Sequence, residues 1–155
     1  MKYAVIFLCL LAGSQLVSAQ ELKVVKYDQV ENMIQSQSEK VKVLNFWATW
    51  CGPCIKELPY FEALNGKDNV EVVLISLDFV QDEAKVRKFV ERKKLQSQVL
   101  LLNEKDYDSY MSKIDESWSG AIPATLFVTA TGKKHFYEKP FTASELENTL
   151  NQFVD

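Results

Sequence analysis

Residues Asn45–Pro59 read NFWATWCGPCIKELP, and this stretch decides the fold. An apolar, strand-like run, Val41–Trp47, leads almost directly into two cysteines that are separated by two residues. A helical pattern then extends from Cys51 to about Leu64. The sequence therefore predicts a pair of thiols at a strand-to-helix junction, with the first cysteine at the start of the helix.

The remainder of the chain alternates between strand and helix patterns. Further strand-like runs lie at Leu22–Tyr27, Val70–Leu77, Gln98–Leu102, Ala124–Ala130 and Lys133–Glu138. Helical patterns follow a start box of Asp28 and Glu31, cover Glu83–Leu95 and 106–113, and follow a second box of Thr142 and Glu145, with Leu146, Leu150 and Phe153 on the buried face. The order β-α-β-α-β-α-β-α-β-β-α predicts an α/β three-layer sandwich, in which helices flank a central mixed β-sheet and the last two strands form an antiparallel hairpin.

The first 19 residues have the pattern of a secretory signal peptide. Lys2 precedes an apolar run, and small residues end the segment at Ala19, after which we expect cleavage. The run is too short for a membrane span of about 20 residues, although an uncleaved anchor is the alternative. A single domain of 136 residues, 20–155, then remains, and the net charge changes only from −3 to −4. We expect an extracytoplasmic monomer without a membrane span, and nothing in this charge favours nucleic acid.

The cysteine count limits what the CxxC pair can be. Cys9 lies in the signal segment, so residues 20–155 contain only Cys51 and Cys54, together with the single histidine His135. Structural zinc requires four ligands, which argues against a metal site. A disulfide that closes so short a loop removes little entropy from the unfolded chain, which argues against a structural staple. A redox-active pair that needs no other cofactor is the interpretation that fits.

The predicted junction gives the two thiols different roles. At a helix N-terminus, free N–H groups and the helix dipole favour a negative sulfur, so Cys51 is expected to be the exposed attacking thiolate. Cys54 lies one turn further along the helix and is expected to be more buried and to resolve the mixed disulfide. Gly52 and Pro53 shape the turn between them.

The stretch FWATWCGPC resembles the signature of the thioredoxin superfamily, and CGPCIKELP is similar to its extracytoplasmic TlpA/ResA-like branch. The resemblance covers nearly all of residues 20–155. It implies that Cys51 is the nucleophile, that Cys54 is the resolving thiol, and that Pro123 in GAIPATLF is the cis-proline beside the dithiol. The backbone at Ile122 would then pair with an extended substrate strand. Without the resemblance, Pro123 reads as an ordinary trans proline that enters a strand.

Glu57 is the candidate proton acceptor for Cys54, which precedes it by three residues on the predicted helix. Cytosolic thioredoxins carry an acid six positions before the first cysteine, where this chain has Asn45. The TlpA/ResA-like branch instead has a glutamate at the position of Glu57. A half-buried carboxylate with a raised pKa could accept the Cys54 proton. The alternative is a surface glutamate near the helix start.

The remaining candidates are aromatic or basic. Trp47 is expected in the core and Trp50 at the rim of the site, where it would contact substrate. Trp118 fits a substrate groove and plain packing equally well, and His135 is expected at the surface. The lysines and arginines of Glu83–Leu95 are interpreted as a solvated helix face.

These patterns and the resemblance predict an enzyme, an extracytoplasmic thiol-disulfide oxidoreductase that reduces disulfides in partner proteins. An upstream electron donor would then reduce the Cys51–Cys54 disulfide back to the dithiol. By analogy with the family, cytochrome c maturation is one setting for such a protein. A disulfide oxidase or isomerase is the alternative within the same chemistry. A peptide-binding module without redox turnover, or a carrier of soft metal ions, are alternatives from other classes.

Overall fold

A computed structural model of the protein describes residues 21–154, so the predicted signal segment and Cys9 lie outside the described residues. The strands are β1 Lys23–Val25, β2 Val41–Trp47, β3 Val70–Ser76, β4 Gln98–Leu102, β5 Ala124–Val128 and β6 Lys134–Tyr137. The α-helices are α1 Tyr27–Gln35, α2 Gly52–Leu64, α3 Glu83–Lys93, α4 Asp108–Ile114 and α5 Ala143–Leu150, with a 3-10 turn at Val80–Asp82 before α3. This is the predicted order of elements.

The strands form one mixed sheet in the order β1-β4-β3-β2-β5-β6. Strands β1, β4, β3 and β2 are parallel to one another, whereas β5 is antiparallel to both β2 and β6. Parallel neighbours place their carboxyl ends at the same edge of the sheet. The segments that follow β2 and β3 therefore meet at one edge, which is where the two cysteines lie.

Helices cover both faces of the sheet, which confirms the predicted α/β three-layer sandwich. One apolar core lies between the sheet and the buried side chains of α2, α3 and α5. The second core lies on the opposite face, where α1 and α4 pack together with Trp118. Because both faces are covered, all seven residues of β2 are buried, as was predicted for this strand.

The alternation of side chains along β2 places a polar residue in one of these cores. Val43 and Trp47 lie in the core that contains α2, whereas Leu44 and Phe46 lie in the other core. Asn45 shares the period of Val43 and Trp47, so it lies on the face covered by α2. A fully buried amide is thereby brought beneath the helix that carries the cysteines.

Several expectations about element ends are wrong. Helix α1 begins at Tyr27 rather than after Asp28, because the Gln29 side chain accepts a hydrogen bond of 3.1 Å from the Lys26 N–H and supplies the cap. Strand β1 is correspondingly shorter and ends at Val25. Phe153 follows the end of α5 and is only partly buried.

The Thr142–Glu145 start box of α5 is confirmed. The Thr142 hydroxyl oxygen accepts from the Glu145 N–H, and the Glu145 carboxylate accepts from the Thr142 N–H. Leu146 and Leu150 are buried, as the helical period predicted. The cap fixes where the chain enters α5 and thus positions Phe141, the residue before it. In residues 21–154, none of the helices has the length and apolar character that crossing a membrane requires.

Candidate active site

The two cysteines form a disulfide at the start of α2. The chain leaves β2 at Trp47 and turns, with the Cys51 N–H donating to the Ala48 carbonyl at 3.1 Å. Cys51 is the residue before the first turn of α2, and its sulfur accepts a hydrogen bond of 3.3 Å from the Cys54 N–H. The sulfur–sulfur bond is 2.02 Å long. The Cys54 N–H therefore points at the Cys51 sulfur, where this donor and the helix dipole favour a thiolate once the bond is reduced.

Cys51 is less exposed than predicted. Its exposed fraction is 6%, compared with 0% for Cys54. The expected difference between the two residues is present, but Cys51 is largely covered because it is bonded to Cys54 on one side and faces Ile122 on the other. Its sulfur lies 3.8 Å from the Ile122 carbonyl oxygen.

The loop that contains Ile122 and Pro123 is held against the dithiol by Trp118. The Ile122–Pro123 peptide bond is cis. The indole N–H of Trp118 donates to the Ala121 carbonyl at 2.9 Å, and its ring packs against Phe46 with centroids 4.8 Å apart. Trp118 is buried. Of the two interpretations of Trp118, the structure supports packing, in which the indole fixes the backbone next to Cys51.

Glu57 is buried beneath the cysteines, with 1% of its surface exposed rather than the half expected from sequence. One carboxylate oxygen accepts from the Asn45 Nδ2 at 2.9 Å, and the other accepts from the Phe141 N–H at 2.7 Å. Burial disfavours the charged form and raises the pKa of Glu57 to about 7, while the hydrogen bonds from Phe141 and Asn45 lower it. A carboxyl group with this pKa exchanges its proton near neutral pH.

Asn45 connects the strand to this carboxyl group. Its Nδ2 donates to Glu57 and also to the Thr125 hydroxyl at 3.1 Å, on the neighbouring strand β5. Its Oδ1 has no hydrogen-bond partner among the described residues. The Asn45 amide therefore occupies the strand position at which cytosolic thioredoxins carry an acid. From there it donates a hydrogen bond to the Glu57 carboxylate on α2.

The other predicted site residues lie at the mouth of the site. Gly52 and Pro53 are exposed in the first turn of α2. Trp50, one residue before Cys51, is 63% exposed. Their roles toward a substrate stay predictions. Trp47 is completely buried, as expected, whereas His135 is half-buried and stacks on Phe153 at a centroid distance of 4.2 Å.

A second buried carboxylate, Asp78, was missed by the sequence analysis. It lies two residues beyond the end of β3 and is 2% exposed. It accepts from the Thr49 N–H at 2.8 Å, from the Thr49 hydroxyl at 2.5 Å and from the Ser76 hydroxyl at 2.8 Å. Asp78 thus ties the turn before Cys51 to β3. Its place just after a parallel strand that neighbours β2 is the signal that could have identified it.

The described residues contain no group of three or more histidine, cysteine or acidic side chains arranged to hold a metal ion. What they do bring together is a disulfide, a buried carboxyl group with a raised pKa, and a backbone carbonyl, that of the partly buried Ile122, beside one sulfur. This set suits transfer of electrons between thiols and disulfides, since each partner in that reaction gains or loses a proton.

A mixed sheet flanked by helices, with a CxxC disulfide at the first turn of a helix, defines the thioredoxin-like class of proteins. The sequence profile of the AhpC/TSA family matches residues 17–134, and the chain belongs to this family. The predicted resemblance to the thioredoxin superfamily is thereby confirmed.

Two relatives carry the name thiol-disulfide oxidoreductase ResA. The protein from Oceanobacillus iheyensis is 31% identical over 131 residues, which cover 82% of this chain and 64% of that protein. The protein from Halalkalibacterium halodurans is 27% identical over 115 residues, which cover 72% of this chain and 59% of that protein. The chain therefore spans less than two thirds of the length of these relatives.

Solved structures support the same fold. StoA from Bacillus subtilis is 27% identical, with a TM-score of 0.56 over 74% of this chain and 84% of that chain. A thioredoxin family thiol:disulfide interchange protein from Chlorobium tepidum is 19% identical, with a TM-score of 0.63 over 76% of this chain and 81% of that chain. At this identity, the second likeness concerns the fold alone.

Proposed function

We propose that the protein is a thiol-disulfide oxidoreductase that reduces disulfides in partner proteins through Cys51 and Cys54. The observation that carries the proposal is the disulfide at the first turn of α2, with a buried carboxyl group one turn further along the same helix. The names of the ResA relatives support the same reaction. Cys51 and Cys54 supply the electrons themselves, so the reaction needs no other cofactor.

The reductive cycle starts from the dithiol form. The Cys51 thiolate attacks one sulfur of the substrate disulfide, the substrate S–S bond breaks, and the other substrate sulfur leaves as a thiolate that takes a proton from solvent. Cys51 is then joined to the substrate in a mixed disulfide. Attack by Cys51 rather than Cys54 is favoured because Cys51 is the more exposed of the two and faces the backbone N–H of the first helical turn.

The second step closes the disulfide. Glu57 in its carboxylate form takes the proton of the Cys54 thiol, directly or through water, and the Cys54 thiolate attacks the Cys51 sulfur. The second substrate sulfur leaves as a thiolate and takes a proton, so the substrate gains two electrons and the Cys51–Cys54 bond forms. A dithiol of an upstream donor reduces this bond again by the reverse exchange.

The residues on both sides of Cys51 in the chain and the loop at Ile122 border the disulfide. The Ile122 carbonyl oxygen, 3.8 Å from the Cys51 sulfur, is a hydrogen-bond acceptor for the N–H of an extended substrate strand. Trp50, Gly52 and Pro53 offer exposed surface on the other side. These four residues, with Pro123, form the proposed substrate-binding surface.

We place the reaction outside the cytoplasm. The signal-like pattern of the first 19 residues supports this location. A compartment of this kind keeps disulfides oxidised, so a protein that reduces them requires an electron donor dedicated to it. Cytochrome c maturation, whose substrates must be held as thiols, is one reductive task of this type.

The reduction potential of the Cys51/Cys54 couple tests the direction of the reaction. We expect a value nearer to about −270 mV, typical of thioredoxin, than to about −120 mV, typical of a strong oxidant. A value near the oxidising end contradicts the proposal. In a second test, Cys54→Ser stalls the mixed disulfide and should trap partner proteins on Cys51, whereas the matched Cys51→Ser variant should trap none.

A further inference from the structure

One helix carries much of the positive charge near the dithiol. Although the chain has a net charge of −3, α3 and its C-terminal residue Lys94 contain six basic side chains and two acidic ones, Glu83 and Glu91. From the sequence alone, we interpreted these basic residues as a solvated helix face. The structure shows that part of it faces a cavity next to the cysteines.

The cavity lies between the start of α2 and the outer side of α3. Its volume is about 480 Å³. One wall is formed by Thr49 and Ile55, and the opposite wall by Lys85, Lys88, Phe89 and Arg92. Thr49 lies two residues before Cys51, and Ile55 directly follows Cys54. A ligand that occupies the cavity therefore contacts residues that flank the two cysteines in the chain.

The three cations of this wall are free to bind an anionic partner. Among residues 21–154, Arg87 pairs with Glu83 at 2.7 Å, but Lys85, Lys88 and Arg92 form no ion pair. The Arg92 guanidinium lies over the Phe89 ring, 5.5 Å from its centroid. Since Phe89 is buried against Trp47, this contact holds the charge of Arg92 at the cavity.

Ile55 extends the surface along α2. It also lines a second cavity of about 230 Å³, whose walls include Pro59, Lys93 and Lys94 together with one acidic residue, Glu62. The two cavities thus share one apolar side chain and are both bordered by basic residues of α3. This arrangement fits an extended segment that combines carboxylates with uncharged or apolar side chains, rather than a single small anion.

We propose that this surface, which we call the α3 cleft (Thr49, Ile55, Lys85, Lys88, Phe89 and Arg92), binds an acidic segment of the protein whose disulfide is reduced. The inference deepens the proposed function, because it assigns a partner chemistry to the same site. Carboxylates of the segment pair with Lys85, Lys88 and Arg92, and the adjoining residues of the partner contact Ile55. The contact directs the partner's disulfide to Cys51.

Peptide binding tests the α3 cleft without any redox step. Two fluorescently labelled peptides of equal length are titrated into the disulfide form of the protein, one rich in Asp and Glu and one with Asn and Gln in their places, both free of cysteine. We expect the acidic peptide to bind at least about tenfold more tightly at low salt, and the difference to shrink at high ionic strength because salt screens exposed charges. Equal affinities overturn the inference.

Two triple variants locate the binding. The combination Lys85→Gln, Lys88→Gln and Arg92→Gln should abolish the preference for the acidic peptide. The control combination, Lys40→Gln, Lys133→Gln and Lys134→Gln, removes the same charge from exposed positions near the start of β2 and the β5–β6 turn, at the opposite edge of the sheet. It should leave the preference intact. An equal loss in both variants overturns the α3 cleft as the binding site.

Turnover of a small neutral disulfide separates this inference from the proposed function. If the protein reduces 2-hydroxyethyl disulfide but binds both peptides equally, the α3 cleft is wrong and the oxidoreductase proposal stands. If it binds the acidic peptide through the three cations but reduces no disulfide, the α3 cleft stands and the oxidoreductase proposal fails.

Discussion

Two carboxyl groups are buried near the disulfide, and they differ in their hydrogen bonds. Asp78, below the turn that precedes Cys51, is 2% exposed and accepts three hydrogen bonds from Thr49 and Ser76. Glu57, behind Cys54, is 1% exposed and accepts two, from Asn45 and Phe141. Similar burial thus accompanies two different environments for a carboxyl group.

The different hydrogen bonds of Asp78 and Glu57 indicate different roles for the two residues. The hydrogen bonds to Asp78 all come from the segments that it joins, so removing the carboxylate should loosen the turn before Cys51. The two hydrogen bonds to Glu57 do not offset its burial, and its pKa is raised to about 7. We therefore propose Glu57 as the acid that exchanges a proton with Cys54, and Asp78 as a residue that positions the backbone before Cys51.

The largest expected effect is on the pH dependence of stability. The pKa of Glu57 is raised from 4.5 to about 7 in the folded protein, so the folded state holds its proton to higher pH than the unfolded state. This stabilisation is complete below about pH 4.5 and is lost as the pH rises through about 7, an amount of about 3 kcal/mol. Denaturant unfolding of the disulfide form between about pH 4 and about pH 9 measures it.

Glu57→Gln supplies the comparison for that experiment. The variant should lack this part of the decline, so the free energy of unfolding of the wild type should fall by about 3 kcal/mol more than that of the variant over the same range. Glu91→Gln, an exposed change of the same chemistry on α3, should follow the wild type. Parallel profiles for wild type and Glu57→Gln would show that Glu57 is not buried as a neutral group.

The second effect is on the rate at which Cys54 resolves a mixed disulfide. With a small neutral thiol preformed on Cys51, the rate should rise with pH through about 7, because Glu57 must be deprotonated to act as a base. Glu57→Gln should slow the step about 100-fold at neutral pH and move the rise toward the ordinary cysteine range near about 8.5. Stopped-flow measurement of the released thiol reports both quantities.

Asp78→Asn should lower stability without moving that pH profile. In the variant, the amide N–H groups face the Thr49 and Ser76 donors that bind the carboxylate in the wild type. The donors left without an acceptor should lower the free energy of unfolding by about 2 kcal/mol. Asp82→Asn, at an exposed position four residues later whose side chain makes no cap hydrogen bond, should change stability by less than about 0.5 kcal/mol. A shifted profile in Asp78→Asn would assign Asp78 to proton transfer and break the distinction between the two acids.

The smallest effect comes from Asn45→Ala. Removing the amide removes a hydrogen bond that lowers the pKa of Glu57. The midpoint of the resolution rate should therefore move to higher pH by about one unit or less, which corresponds to about 1 kcal/mol. A midpoint that moves to lower pH would contradict the interpretation of Asn45 as a donor to the carboxylate.

Hydrophobic periodicity was sufficient to predict the order of strands and helices, because each element buries an apolar face of known period. The ends were less predictable, since they depend on caps: α1 starts at Tyr27 through the side chain of Gln29, and not at the box of Asp28 and Glu31. Strand β2 is the exception, because both of its faces are buried and its apolar run marks its full length.

The contacts of the candidate site were predictable from sequence only between residues that lie close together along the chain. The pairing of Cys51 with Cys54, and the place of Glu57 on the same helix, follow from offsets of three residues. The contacts that define the two acids do not: Thr49 and Asp78 are 29 residues apart, and Glu57 and Phe141 are 84 apart. Such contacts depend on strand order and on the entry into α5, which no local pattern contains.

The charge of α3 illustrates the same limit. Its basic residues were visible in the sequence, but their position beside Thr49 and Ile55 follows from the parallel pairing of β2 with β3, which brings the segments after both strands to one edge. A charged helix face therefore gains a functional interpretation only once the sheet order is known.

The proposed mechanism depends on Glu57, a buried carboxyl group that we expect to gain and lose its proton near neutral pH close to the Cys51–Cys54 pair. The most direct measurement is an NMR titration of the Glu57 side-chain carboxyl carbon in the disulfide form, assigned by its absence in Glu57→Gln. We expect a midpoint at about pH 7. A midpoint near 4.5, the ordinary value for glutamate, would contradict it.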